Sequence, residues 1–131
     1  MKVLALDYGA ARTGVAVSDA SGTIARPLEV VRKAATPVGL ARLRELVAEH
    51  GAELVVVGLP LTLRGERGSQ ARETEDFVRR LGAALDVPVE TYDERFTTSL
   101  AAQAPGDLPE DARAAAHLLQ SYLAWKSAHT S

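Results

Sequence analysis

The stretch Lys2-Val3-Leu4-Ala5-Leu6-Asp7-Tyr8-Gly9-Ala10-Ala11-Arg12-Thr13-Gly14-Val15-Ala16-Val17-Ser18-Asp19 opens the fold. Lys2–Leu6 is almost wholly apolar and short, which predicts a strand buried on both faces. Gly9–Arg12 reads as a turn. Thr13–Ser18 continues as a second strand, with Val15 and Val17 alternating against Ala16. Asp19-Ala20-Ser21-Gly22 is a second turn, and Thr23–Val31 a third strand interrupted by Pro27, which belongs at a sheet edge. Three strands joined by short turns predict an antiparallel meander.

Beyond it the period changes from two to 3.6. Thr36-Pro37 starts a helix, with Thr as N-cap and Pro at the first position, and Gly51 stops it. Leu54–Val57 is a buried strand ending in Gly58-Leu59-Pro60, and Leu61–Ser69 is a polar loop. Gln70–Leu85 is a helix with Phe77, Val78, Leu81 and Leu85 on one face. Val87–Tyr92 is a strand, Thr97–Gln103 a short helix, and Asp107–Glu110 a capping-box-like start to a last helix reaching about Lys126. The order β-β-β-α-β-α-β-α-α predicts an α/β fold. Its core is a mixed five-stranded sheet with helices on both faces.

The length of 131 residues fits one domain, residues 1–131, and 47% hydrophobic residues suffice for one core. There is no cysteine, so disulfides and thiolate chemistry are excluded. No signal-peptide pattern stands at the start and no apolar run approaches a membrane span, so a cytoplasmic protein without membrane contact is expected. Fifteen Lys and Arg against 17 Asp and Glu give a net charge of −2. A broadly basic nucleic-acid binder is therefore not expected, although clustered carboxylates can mask a local basic rim.

Where the acids stand is more telling. Asp7 ends the first strand, and Asp93-Glu94 end the last. Each reads equally as local structure, a turn-forming Asp or a helix-start acid pair. Asp111 shares a stripe with Ala115, Leu118 and Tyr122, and so sits on the inward face near the start of the last helix. There it reads either as a first-turn acid that stays solvated or as an acid facing a polar site at the strand ends. Helical crossovers make the first and last strands parallel, so their carboxyl ends share one sheet edge. If Asp111 joins them, three or four carboxylates converge. Such oxygen-only clusters suit Mg²⁺ or Mn²⁺, and two ions together support phosphodiester hydrolysis.

Four segments, taken together, carry a family resemblance. Asp7-Tyr8-Gly9 with Arg12-Thr13-Gly14-Val15-Ala16-Val17-Ser18-Asp19 resembles the first motif of the YqgF family. Val57-Gly58-Leu59-Pro60-Leu61 with Gly65 and Gly68 is similar to its second. Asp93-Glu94-Arg95-Phe96-Thr97-Thr98 is similar to its third, and Asp111 with Ala114-Ala115 and Leu118-Leu119-Gln120 to its last. The resemblance spans nearly the whole chain in order. It departs at Ala104–Glu110, where relatives carry a more basic stretch.

The resemblance implies a ribonuclease H-like fold and a metal-dependent endonuclease for structured nucleic acid. The substrates it implies are 16S rRNA precursors, with pre-ribosomal particles as a partner, or four-way DNA junctions. It carries Asp7, Glu94 and Asp111 over as metal-binding catalytic acids, with two Mg²⁺ or Mn²⁺ ions. Asp93 is a further candidate ligand, although strand alternation points neighbours to opposite faces.

Candidate nucleic-acid contacts are Arg12, Arg64, Arg67, Arg95, Thr97 and Thr98. Arg95 reads equally as a group orienting Asp93 or Glu94, and one of the threonines as an N-cap. Arg64 and Arg67 lie in or beside the glycine-rich loop, but Glu66, Glu73, Glu75 and Asp76 interleave with them, as on a solvated face. Trp125 and Tyr122 fit core or homodimer contacts. Two other functions compete: a non-catalytic ribosome-assembly module that binds nucleic acid, and an actin-like nucleotide-binding domain. The second normally needs two such domains, for which this chain is too short.

Overall fold

The computed structural model describes residues 1–62, 64–96 and 110–129. In chain order these form β1 (Val3–Asp7), β2 (Arg12–Ser18), β3 (Ala25–Arg32), α1 (Pro37–His50), β4 (Leu54–Leu59), α2 (Ser69–Ala84), β5 (Val89–Asp93), a 3₁₀ turn (Glu94–Phe96) and α3 (Glu110–His129). The short helix expected at Thr97–Gln103 and the capping residues from Asp107 to Pro109 lie outside the described residues.

The five strands form one mixed sheet in the order β3-β2-β1-β4-β5. β1 pairs antiparallel with β2, and β2 with β3, which is the expected meander. β4 runs parallel to β1 and β5 parallel to β4, as helical crossovers require. β3 is the edge strand on the meander side. There the register shifts between Val15 and Ala16, bringing Pro27 opposite Ala16 and carrying β3 on to Arg32, one residue past the expected end. A bulge at a proline is physically reasonable, because Pro has no N–H to give the ladder.

Alternation along the strands builds two cores. Leu4, Leu6, Val15, Val17, Val55 and Val57 pack against Leu43 and Leu46 of α1 and Phe77 and Leu81 of α2. Val3, Ala5, Ala16, Val56 and Tyr92 pack under Ala115, Leu118, Leu119 and Tyr122 of α3. With apolar packing on both sides, β1 and β4 must be near-continuous apolar runs, which is how they read.

α1 begins and ends as its sequence predicts. Thr36 Oγ1 accepts from the Gly39 N–H at 3.3 Å, Pro37 follows, and Gly51 closes the helix at φ 63°. β1 and β5 deliver Asp7 and Asp93 at the same edge of the sheet, with Glu94 just beyond and the first turn of α3 above.

Candidate active site

Asp7 is the last residue of β1, and glycines stand beside it on both sides. Gly14 of β2 is its register partner, and Gly58 of β4 lies one step beyond the last β1–β4 pair, Leu6 with Val57. Both glycines make room. A Cβ on Gly14 would collide with the backbone carbonyl of Asp111, because the first turn of α3 rests on that spot. A Cβ on Gly58 would stand 2.6 Å from Glu94 Oε1 and 3.0 Å from Leu118 Cδ2. Bare backbone on either side thus lets the Asp111 turn and the Glu94 carboxyl close on Asp7.

Asp7 and Glu94 are hydrogen-bonded through their carboxyls. Burial pushes Glu94 up to about 7, and the hydrogen bond and charge of Asp7 push the same way. Asp7 is also raised, first by burial and then by the nearby charge of Asp111, while the bond from Glu94 opposes the rise. Below about pH 7 the pair therefore holds a proton, with Glu94 donating and Asp7 accepting.

Asp111 lies within electrostatic reach of Asp7, but its carboxylate is 3.4 Å from Arg12 Nε. Among the described residues no three or more His, Asp or Glu side chains stand close enough together to hold a metal ion.

Asp93 does something else. Alternation sets it on the sheet face opposite Tyr92, and Arg95 grips it through Nε at 3.0 Å and Nη2 at 2.7 Å. That bond keeps its carboxyl below the usual range. The Arg95 guanidinium also lies against Gly65, so the Asp93–Arg95 pair ties the end of β5 to the loop after β4. Of the two roles read for Arg95, the geometry displays the carboxylate-orienting one, directed at Asp93.

An open cleft of about 180 Å³ runs from this pair, lined by Asp7, Tyr8, Gly9, Ala10, Pro60, Gln70, Glu73, Thr74 and Glu94. Its far wall is the start of α2, whose contribution sequence reasoning missed. Gln70, Glu73 and Thr74 share a helix face with Phe77, on which Tyr8 stacks at 4.3 Å. A polar stripe running into a buried aromatic was the available signal, yet it looks like any solvated helix start.

Of the remaining candidates, Arg64 and Arg67 are not among the residues that line the cleft. Arg67 is paired with Glu75 at 2.8 Å. Arg64 is exposed and makes no ion pair among the described residues. Thr97 and Thr98 lie outside the described residues.

Comparison with known proteins gives this geometry a family. The chain is 44% identical over 130 residues to a Chloroflexus aggregans protein named "Putative pre-16S rRNA nuclease", covering 92% of each. It is 47% identical over 133 residues to a Rubrobacter xylanophilus protein of the same name, covering 93% of this chain and 91% of that one. Among solved structures, Thermus thermophilus RuvC bound to a Holliday junction superposes with a TM-score of 0.67 at 19% identity, over 99% of this chain and 97% of that one. Fowlpox virus resolvase with junction DNA superposes at 0.53 and 8% identity, over the whole of both chains. Both show the shared resolvase fold, which is ribonuclease H-like. A family profile described as RuvX, Holliday junction resolvase, matches residues 1–125, and the chain therefore belongs to the RuvX (YqgF) family.

Proposed function

We propose that this chain is a divalent-metal-dependent endonuclease that cuts structured nucleic acid in the cleft beside Asp7. The Asp7–Glu94 carboxyl pair carries this reading. Two half-buried acids held together at the carboxyl ends of parallel strands, open to a cleft, are costly unless something uses them. The donor set suits the group it would hold: all-oxygen ligands favour Mg²⁺ or Mn²⁺, and the proton the pair retains marks where a cation would compensate the charge. Asp7 and Glu94 would hold the first ion, and Asp111, across from Asp7, would complete the site on release from Arg12. Bound ions would supply an activated water and charge stabilisation at the phosphate.

The chain's own groups do the rest. Gly14 and Gly58 keep the flanks of Asp7 open. Arg95 fixes Asp93, and with it the strand end from which Glu94 projects. Glu94 holds its proton below about pH 7, and a bound cation would favour its release. Arg12, once free of Asp111, contacts backbone phosphate. The names of the relatives point to pre-16S rRNA as substrate and the family description to four-way DNA junctions. Among the described residues no helix is long and apolar enough to cross a membrane. A cytoplasmic site of action on pre-ribosomal RNA, as monomer or homodimer, fits these features.

A side-by-side cleavage assay tests the reading, offering a pre-rRNA fragment and a four-way junction with Mg²⁺, Mn²⁺ or chelator. The parent should cut at least one substrate with metal and neither with chelator. Asp7→Asn and Glu94→Gln should lose at least about 100-fold in rate, of the order seen when charge-stabilising groups are removed from active sites. An Asp7→Asn variant as fast as the parent in Mn²⁺ would overturn the site.

A further inference from the structure

The register shift in β3 has a second result: it places Arg32 directly opposite Arg12 across the β2–β3 pair. Directly opposed side chains in an antiparallel pair have Cβ atoms about 5 Å apart, and like charges there destabilise the sheet. Both arginines are exposed.

Lys33, the next residue, adds a third positive charge and sits in the left-handed region at φ 48°. Its N–H donates to the Ala11 carbonyl at 3.0 Å, and its carbonyl accepts from the Thr36 N–H at 3.0 Å and from Thr36 Oγ1 at 2.7 Å. The turn therefore demands a conformation that glycine adopts freely and lysine does not.

Among the described residues the anions at hand do not balance this group. Asp111 reaches Arg12 alone. Glu29 stands opposite Val15, on the α1 side of the sheet, and Arg42 holds both of its oxygens at 2.7 and 2.9 Å. Neither Arg32 nor Lys33 makes an ion pair among the described residues. Gly9 and Ala10, two or three residues before Arg12 in the same turn, line the cleft.

We propose that Arg12, Arg32 and Lys33 form a phosphate-binding platform that seats the nucleic-acid backbone at the β2–β3 edge and leads it over the Gly9–Arg12 turn into the cleft. The proposal rests on the nuclease reading for its ligand and adds the direction from which the substrate enters. An anionic backbone supplies countercharge that the described residues provide only to Arg12, through Asp111. The platform holds phosphate and carries no sequence preference. On a chain of net charge −2 it is a local site, so the salt dependence of binding comes from few contacts.

The test measures binding of a labelled four-way DNA junction and of a base-paired RNA fragment at several salt concentrations. It uses the Asp7→Asn background with Mg²⁺, so that probes stay intact. Arg32→Gln and Lys33→Gly should each weaken binding by roughly 3- to 10-fold at moderate salt. Each should also lower the slope of log affinity against log salt by about 1. Arg32→Lys should keep the slope.

Lys33→Gly separates binding from folding, because it relieves the backbone. Its melting temperature should equal or exceed that of its background while binding falls. A loss confined to one probe assigns the platform to that nucleic acid; equal losses assign it to the shared backbone. Binding and slope unchanged in both variants on both probes would overturn the platform. If instead the parent cuts neither substrate while the variants still lose affinity, the nuclease reading fails and the platform stands as a binding site.

Discussion

Asp7 and Glu94 should make metal-free stability fall as pH rises. Both carboxyls are raised in the folded chain, Asp7 above 3.8 and Glu94 from 4.5 to about 7. A raised acid favours the fold while protonated. That advantage is full below the unfolded value and is lost as pH climbs through the folded one. In chelator, the parent should therefore lose stability between about pH 5 and pH 8, by on the order of 2 kcal/mol after allowance for solvent around this half-exposed pair. Asp93 and Asp19 are shifted downward, so they titrate below this window.

Asp7→Asn keeps the shape and donates to Glu94 at any pH. Its melting curve should be flatter across the range and lie above the parent's at pH 8. Parallel parent and variant curves would show that the pair carries no such strain. Asp111→Asn is a useful contrast. It trades relief of repulsion on Asp7 against loss of an exposed Arg12 pair, so it should stay within about 0.5 kcal/mol of the parent.

At the scale of elements, two glycines separate folding from chemistry. A methyl on Gly14 meets the Asp111 carbonyl and, at 3.0 Å, the Ala112 nitrogen, both backbone atoms of α3. Backbone cannot step aside, so Gly14→Ala should cost about 2–3 kcal/mol and be readable as a lower melting temperature. A methyl on Gly58 meets mainly the movable Glu94 side chain. Gly58→Ala should cost less than about 1 kcal/mol yet pull Glu94 off Asp7, so activity should drop far more than stability. A variant with both intact would show that Glu94 need not lie over Gly58.

The elements themselves were largely legible. Thr36-Pro37 and Gly51 carry their own start and stop chemistry, and Val15 and Val17 declare their face by alternation. What the chain order hides is register. Nothing local says that the register shifts beside Pro27, and without the shift Arg32 does not meet Arg12. Likewise Gln70 and Glu73 look like any solvated helix start until tertiary packing sets Tyr8 on Phe77.

For the whole molecule, topology explains why the meeting of Asp7 and Glu94 was legible in the sequence: two parallel crossovers must bring the ends of β1 and β5 to one edge. The engagement of Asp111 with Arg12 was not legible, because it depends on how α3 seats over Gly14. On the proposed function, that seating would make metal binding a property of the assembled fold, since β1, the turn after β5, and α3 come together only when it is complete. An ion that binds the folded site and not the unfolded chain stabilises by mass action, about 2.7 kcal/mol at a hundred times its dissociation constant. In a chain of 131 residues this corresponds to a rise of roughly 10 °C in melting temperature. Asp7→Asn and Glu94→Gln should retain less than about a third of the rise. The proton on Glu94 competes with the ion, so the parent's rise should be larger at pH 8 than at pH 6, with the change centred near 7. Melts of parent and both variants, at the two pH values, with Mn²⁺ and with chelator, decide the matter without any substrate. An equal Mn²⁺ effect on all three proteins at both pH values would place the ion elsewhere.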